Sequence, residues 1–492
     1  MTELLFLGQA GFILEHRGIR ILMDPWFFAG FMESWFPYPD NRMMLKEVAG
    51  KPFDFLYVSH LHEDHFDRRT LELLPKDIPV VCANFRSGEL HRRMQSVGFE
   101  KFILLGHQER REFSPRLAAT MILDMSHKED SGLLLELDGF RFLNLNDCAP
   151  RLNDLPSPVD LLAAQYSGAQ WYPTCYDSPE PVLRQKVEEV RTSSRELLAA
   201  KCRGARPKWY IPCAGPACLL DPAIRKNHNP GETIFPLWEE VGDKFSAAHP
   251  EIGVLRIYPG DSIQIFEGVP SIRRFEGTRE GAIAEGILSY ADRRREEWEA
   301  FHRLDARPVT SAELSAYFSG LLASNRHALE GFKKTIRIVC GGRSWTLELS
   351  EKFDGSFLEE TSSVQPEYTF SMPEQVLRAI VNKTVSWEHA LAALRIRLHR
   401  NPDVYDAKLM GLLRYGDQPA QTRQMIWDVH CPEMIDVGGA RIQRYCPHAG
   451  EDLSKGEVVE GVLTCPRHRW KWDLRTGKCV SGGSLDLHIE KS

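Results

Sequence analysis

Val58-Ser59-His60-Leu61-His62-Glu63-Asp64-His65 holds four potential metal ligands, His60, His62, Asp64 and His65, within six residues. Ahead of it, Phe53 to Val58 reads as a short buried strand, and behind it Asp67 to Leu74 reads as the first turns of a helix. The ligands therefore fall at a strand-to-helix junction. There His60 and His62, alternate residues of an extended segment, point one way while Asp64 and His65 turn toward the same spot. Imidazole nitrogens and carboxylate oxygens at one point suit one or two bound ions. A lone histidine would be read as structural; His-x-His-x-Asp-His is too dense for that.

After a buried strand, this motif resembles the signature of the metallo-β-lactamase fold. Gly8-Gln9-Ala10-Gly11-Phe12, a strand expected from Arg20 to Met23, and Asp24-Pro25-Trp26 resemble the sugar-lactone-lactonase-like branch of that superfamily. The resemblance implies two further ligands. His127, in Met125-Ser126-His127-Lys128-Glu129-Asp130-Ser131, matches the third-motif histidine, and Asp147, in Leu143-Asn144-Leu145-Asn146-Asp147-Cys148, matches the bridging aspartate. The last motif departs from the pattern: where Pro-x-His is expected the chain reads Ile211-Pro212-Cys213-Ala214-Gly215-Pro216. That favours one strongly bound metal over two. His228 is a substitute to weigh against a plain surface-loop histidine. Asp160-Leu161-Leu162-Ala163-Ala164-Gln165-Tyr166-Ser167-Gly168-Ala169, with Leu145 to Pro150 and Trp209 to Gly215, resembles the catalytic domain of the CMP-N-acetylneuraminate hydroxylase family.

At 492 residues the chain has room for about three domains at roughly 150 residues each, and 43% hydrophobic content supplies their cores. A net charge of -7 argues against a nucleic-acid partner. No basic n-region or apolar run of membrane-spanning length is present, so a cytosolic protein without a membrane partner is expected. Eleven cysteines then read as reduced thiols and metal ligands rather than disulfides.

The expected fold class is α+β in three domains: an αββα metallo-β-lactamase-like sandwich over 1–268, a helical connector with an α/β module over 269–422, and a small all-β domain over 423–492. In the first, Pro181 to Cys202 is the clearest helix, with Leu183, Val187, Val190, Leu197 and Leu198 at helical spacing. Arg279 to Asp305 reads as one charged connector helix with a solvated face. Beyond Pro308, Thr335 to Val339 and Ser344 to Leu349 alternate as a hairpin, and helices follow at Pro373 to Asn382 and Trp387 to Arg395. Tyr368 to Leu377 and Leu409 to Gly416 resemble a sterol-carrier-like module, read here as packing. Tyr166, Trp171 and Tyr172 lie where the sandwich would place a pocket wall, and are likewise read as packing.

Near the end, Cys446-Pro447-His448 is followed after sixteen residues by Cys465-Pro466-Arg467-His468. Two thiolates and two imidazoles can hold zinc, but zinc sites usually open with Cys-x₂₋₄-Cys. The spacing resembles a Rieske [2Fe-2S] domain, with Cys446 and Cys465 on one iron and His448 and His468 on the other. Replacing two thiolates by imidazoles raises the potential to roughly -150 to +300 mV, against about -400 mV for all-Cys ferredoxins. Gly450-Glu451-Asp452-Leu453-Ser454 and Trp472-Asp473 agree with the family, while Arg469 stands where glycine is usual.

A hydrolase needs only a Lewis acid and a polarised water. A one-electron carrier on the same chain makes sense if the other metal is redox-active, so non-haem iron, one or two ions, is expected at His60, His62, His127 and Asp147, with Asp64 and His65 as ligands of a second ion or as orienting groups. The combined reading is a Rieske-coupled oxygenase that takes O₂, electrons from an external reductase and a polar amide- or amine-bearing small molecule. In the hydroxylase family the Rieske domain lies N-terminally and here C-terminally, which points to a relative with another substrate. The alternatives are a zinc or manganese hydrolase of a lactone, phosphodiester or amide with a regulatory Rieske domain, and an electron-transfer protein with a dead metal site.

Overall fold

The computed structural model describes residues 2–167, 170–215, 217–228, 233–276, 283–358, 364–429, 431–467 and 469–490. The first three strands, Thr2–Gly8, Gly11–His16 and Ile19–Met23, form a meander of apolar residues buried on both faces. The turn between the first two depends on Gly8, at φ +106°, where an added Cβ would meet Asn41 Nδ2 at 2.9 Å. From this meander one sheet grows to eight strands, in the order Val269–Arg273, Ser262–Phe266, Thr2–Gly8, Gly11–His16, Ile19–Met23, Phe55–Tyr57, Val80–Ala83, Phe102–Leu105. The last four run parallel, so Asp24 and the His60 loop follow neighbouring strands at the same end.

A second sheet runs Gly253–Val254, Pro207–Cys213, Val159–Gln165, Phe140–Asn146, Ser131–Leu137, Leu117–Leu123, Arg110–Ser114. Its strands Phe140–Asn146, Val159–Gln165 and Pro207–Cys213 are parallel. The two sheets face each other across one core: Phe12, Leu22 and Leu56 of the first lie in one cluster with Leu133, Phe142, Leu161 and Ile211 of the second. Phe12 and Phe142 meet edge-on at 6.1 Å across the sheets. The outer faces are covered by helices. Leu90, Met94 and Val97 of Glu89–Val97 join the shared core. Leu198, Cys202 and Ala205 of Glu180–Ala205, with Val241 and Phe245 of Trp238–Ala248, cover Leu143, Leu162 and Tyr210. Helix, sheet, sheet, helix is the layering expected from the sequence.

The chain divides into two compact units, one of 1–125, 129–169 and 187–299, the other of 126–128, 170–186 and 300–492. In the second unit, Arg343–Ser350, Lys333–Cys340, Tyr368–Ser371 and Arg397–Arg400 form a four-stranded sheet whose first two strands are the expected hairpin. Its C-terminal part is all-β, with three-stranded sheets from Met434–Val437, Ala440–Gln443 and Ile489–Glu490 and from Glu457–Val459, Val462–Thr464 and Lys471–Asp473.

The single connector helix expected over Arg279 to Asp305 is instead broken. It is described as Ile283–Arg293, Arg295–Glu299 and a 3₁₀ turn Ala300–Arg303, while 277–282 lie outside the described residues. The break falls at Arg294, which is buried: its guanidinium donates to Phe27 O at 2.9 Å, Asp40 Oδ1 at 3.1 Å and Glu297 Oε1 at 2.6 Å. A buried cation needs such partners, and meeting them outweighs one more helical turn. Among the described residues, no helix is long and apolar enough to cross a membrane.

Candidate metal centre

Strand Phe55–Tyr57 delivers the chain to Ser59, where a buried carboxylate fixes the loop. Asp24 accepts hydrogen bonds from Ser59 N (2.8 Å), Ser59 Oγ (2.6 Å), Asn146 Nδ2 (2.7 Å) and His65 Nδ1 (2.9 Å). Behind the loop, Asp67 accepts from Phe27 N at 3.0 Å, Phe28 N at 3.1 Å and Thr70 Oγ1 at 2.6 Å. With both shoulders pinned, the ligand side chains between them have little freedom.

His60, His62 and Asp147 form a group whose ligand atoms all lie within 4.8 Å of one another. His60 Nε2 is 2.8 Å from His62 Nδ1 and 3.6 Å from Asp147 Oδ2. The other oxygen of the same carboxylate, Oδ1, lies 3.4 Å from His65 Nε2, which is 3.7 Å from Asp64 Oδ2. Asp147 thus faces two histidines with one oxygen and the His65–Asp64 pair with the other. Two neighbours complete the surroundings and were given no role in the sequence reading: Asp130 Oδ1 is 3.2 Å from His60 Nδ1, and Gln9 Nε2 donates to Asp64 Oδ2 at 3.1 Å. Both lie in stretches singled out for their motifs, yet carboxylate and amide residues there carry no periodic signal of an orienting role.

Burial opposes ionisation of Asp147, but the charges of His60, His65 and His62 outweigh it and hold the carboxyl well below its ordinary value. Burial pushes Asp64 and Asp130 up instead. His65 is raised against its own burial because Asp147, Asp64 and Asp24 surround it. So many mutually compensating charges in a dry site fit a cation. Atom by atom, Asp147 Oδ1 and His65 Nε2 are buried without a hydrogen-bond partner. Orphaned polar atoms of this kind are what a metal ion would satisfy.

The other candidates stand differently. The loop of His127, 126–128, belongs to the second unit, where the His127 ring meets Tyr415 edge-on at 5.1 Å. His228 is no substitute ligand. Its Nε2 accepts a hydrogen bond from Leu219 N at 2.7 Å, and burial beside Arg225 pushes it down to about 4, which keeps it neutral with that lone pair engaged. Cys213, standing where the last-motif histidine would be, is a buried thiol raised by that burial, and it does not belong to the His60–His62–Asp147 group. Tyr166 is buried in the first unit's core; Trp171 and Tyr172 pack in the second, against Arg414 at 4.7 Å and Tyr176 at 5.3 Å.

In the C-terminal module, Cys446 and Cys465 lie together in a small core with Leu453, Leu463 and Trp472. Each heads a tight turn: Gly450 N donates to Cys446 O at 2.8 Å, and Arg469 N to Cys465 O at 3.1 Å. Arg469 takes φ +61°, the left-handed region where glycine is at ease, which accounts for glycine being usual there. Burial and the neighbouring Cys465 thiol push Cys446 well up, a repulsion that bound iron relieves. Burial, then Lys128 and His127, drives His448 well below its ordinary value, leaving the neutral imidazole a metal needs. His468 lies outside the described residues.

The description "Rieske [2Fe-2S] domain" matches residues 439–486, and "Beta-lactamase superfamily domain" matches 3–161. Over 99% of both chains, the protein is 28% identical to a Mycolicibacterium smegmatis protein named for a Rieske 2Fe-2S iron-sulfur centre. It is 25% identical to the cytidine monophosphate-N-acetylneuraminic acid hydroxylase of Mus musculus, over 82% of this chain and 72% of that one. The solved structure of CmlA, a diiron β-hydroxylase from Streptomyces venezuelae, covers 56% of this chain and 54% of its own, at 15% identity and a TM-score of 0.35. The matches define a chain of two domain types. In particular, it joins an N-terminal β-lactamase-superfamily domain to a C-terminal Rieske domain carrying a [2Fe-2S] cluster.

Proposed function

We propose that this chain is a Rieske-coupled non-haem iron oxygenase that hydroxylates or N-oxygenates a polar, amide- or amine-bearing small molecule. The observation that carries the reading is the pairing of a [2Fe-2S] domain with the His60–His62–Asp147 group on one chain. A hydrolytic metal would have no use for the electron. His60 Nε2, His62 Nδ1 and Asp147 Oδ2 would hold the iron, and His65 and Asp64, which meet the other oxygen of Asp147, would serve a second ion. When bound, the iron supplies O₂ activation at coordination positions the protein leaves open.

The protein groups keep that site in order. His60 Nδ1 faces Asp130 Oδ1 and Ser59 Oγ, to which it would donate its hydrogen, leaving Nε2 for the metal; His65 Nδ1 donates to Asp24 in the same way. Asp147 stays anionic, while Asp64 and Asp130, pushed up by burial, can hold a proton at their carboxyl oxygens. The relatives named cytidine monophosphate-N-acetylneuraminic acid hydroxylase support a substrate such as a nucleotide sugar; the electron donor of this reading is an external reductase.

The test is metal analysis of anaerobically purified protein, with electron paramagnetic resonance before and after dithionite. Iron beyond that of the cluster, and addition of one oxygen atom from O₂ to an N-acyl nucleotide sugar or an amine, is the expected result. Zinc at the His60 group, with ester or phosphodiester cleavage independent of O₂ and reductant, would replace this reading by a hydrolase under redox control.

A further inference from the structure

Within the first unit, an open cleft of about 290 Å³ lies between the helices Glu180–Ala205 and Trp238–Ala248. Arg191, Ser194 and Arg195 line it from the first helix, Glu240 and Lys244 from the second, and Ser167 from the turn after strand Val159–Gln165. Three cations thus meet one carboxylate. Arg191 Nη2 and Lys244 Nζ both donate to Glu240 Oε1, at 2.6 and 2.8 Å. Arg195 turns instead to Glu188 at 2.7 Å, and that carboxylate is mostly exposed, so the pair is worth little.

Helix packing does not call for this arrangement. Arg191 and Arg195 stand four residues apart, so they share one face of their helix, and like charges at that spacing repel. Arg191 is only 13% exposed and its Nε is buried without a hydrogen-bond partner, so Glu240 does not satisfy it. The place of the cleft matters as much as its charge. Strand Val159–Gln165 runs parallel to Phe140–Asn146 with Ala164 opposite Asn146, so Ser167 and Asp147 leave the sheet at the same end. The carboxyl ends of parallel strands are where open sheets of this kind bind ligands. At that end Ala214 N donates to Gln9 O at 2.9 Å, and Gln9 Nε2 donates to Asp64 Oδ2 at 3.1 Å. The next residue, Gly215, comes so close to Ser167 that an added Cβ would meet its Oγ at 2.7 Å. One short stretch therefore touches both the cleft and the residue that steadies Asp64.

We propose that this cleft is an oxyanion subsite that holds a phosphate group of the substrate, through Arg191, Arg195 and Lys244 with the hydroxyls of Ser167 and Ser194 as further donors. The inference rests on the oxygenase reading above and narrows its substrate to a phosphate-bearing molecule. Guanidinium groups match phosphate oxygens two at a time, and an ammonium adds a point charge. Three cations against one carboxylate suit a phosphate monoester, at about -1.5 to -2 charges near pH 7, better than they suit a lone carboxylate. An arriving phosphate takes over the donors that Arg191 and Lys244 now direct at one oxygen of Glu240. The Glu240 side chain, 41% exposed, then turns to water.

The experiment titrates inorganic phosphate, and separately a nucleoside monophosphate, into the full-length protein carrying cluster and metal, followed by isothermal calorimetry. Wild type binds both, the monophosphate at least as tightly. In Arg195→Gln/Lys244→Gln, binding of both weakens about tenfold or more, while metal content and the reduced Rieske signal stay as in wild type. An unchanged Kd in that variant, or no binding by wild type, overturns the subsite. Inorganic phosphate bound with the monophosphate excluded overturns the substrate role and leaves a site for the free ion. Phosphate can also ligate a metal, so His60→Ala is titrated in the same way: retained binding supports the cleft, and lost binding overturns it. Should the double variant fail to fold, Lys244→Glu, at a side chain 53% exposed, is judged by the same Kd. Zinc in place of iron at the His60 group overturns the oxygenase reading by itself, because the calorimetry does not depend on which metal is bound.

Discussion

The His60 loop and the Cys446 and Cys465 loops gather ligand-type side chains by different means. In the first unit four of them come from one strand-to-helix junction, but the carboxylate that closes the group, Asp147, arrives from the facing sheet, and buried Asp24 ties the two together through Ser59, His65 and Asn146. In the C-terminal module each thiol heads its own short turn, and the hydrogen bonds that shape it run between residues four or five positions apart. One site is a product of the whole sandwich; the other needs little more than two turns set side by side. The donor types follow the same division. Nitrogen and oxygen ligands suit an ion that must keep open positions, whereas thiolates close off a carrier.

The comparison breaks most visibly at the locally built site. Cys465→Ser is expected to remove the Rieske signal after dithionite and abolish turnover while iron stays at the His60 group; sustained multiple turnover in that variant would sink the oxygenase account. The converse is expected of His60→Ala: iron beyond the cluster's two is lost and the reduced Rieske signal persists, read by metal analysis and paramagnetic resonance on the same sample. If the cluster signal disappears as well, the two sites are not separable in the way the comparison requires.

A smaller effect tests the claim that the first site depends on support from beyond its ligands. Asp24→Asn keeps size but loses the charge that orients His65, and metal affinity at that site should fall about 10–100-fold in chelator competition. An unchanged affinity would make the first site as local as the second. The smallest expected effect lies away from both. Glu297 is held below its ordinary 4.5: burial raises it, but the hydrogen bonds and charge of Arg294 outweigh that. A depressed carboxyl contributes stability that is fully present above its unfolded value and is lost as pH falls through the folded one. Glu297→Gln should therefore cost roughly 1 kcal/mol at neutral pH, allowing for its partial exposure, and nothing at strongly acidic pH, as urea midpoints would show.

Much of this was legible before any coordinates. The density of His60, His62, Asp64 and His65 is local, and so are the Cys-x-His and Cys-x-x-His pairs, because ligands that share a loop leave their spacing in the sequence. The strand ending at Met23 and the helix at Glu180–Ala205 were legible for the same reason: alternation and helical period are properties of neighbours. What failed was non-local. The expected connector helix from Arg279 to Asp305 breaks because Arg294 finds its partners at Phe27 and Asp40. His228 is neutral and hydrogen-bonded to Leu219, which its sequence setting does not reveal.

The sequence by itself determined the ligand types, the layering of the N-terminal sandwich and the all-β module that carries Cys446 and Cys465. Only the tertiary structure decided that Asp147 faces two sets of ligand-type groups with its two oxygens, that Asp130 and Gln9 complete their surroundings, and that the guanidinium of Arg414 covers the rings of Trp171 and Tyr415 in the second unit. The physical reason is that ligand chemistry and backbone period are written in adjacent residues, whereas the partner of a buried charge is whichever group the packed chain brings within about 3 Å of it.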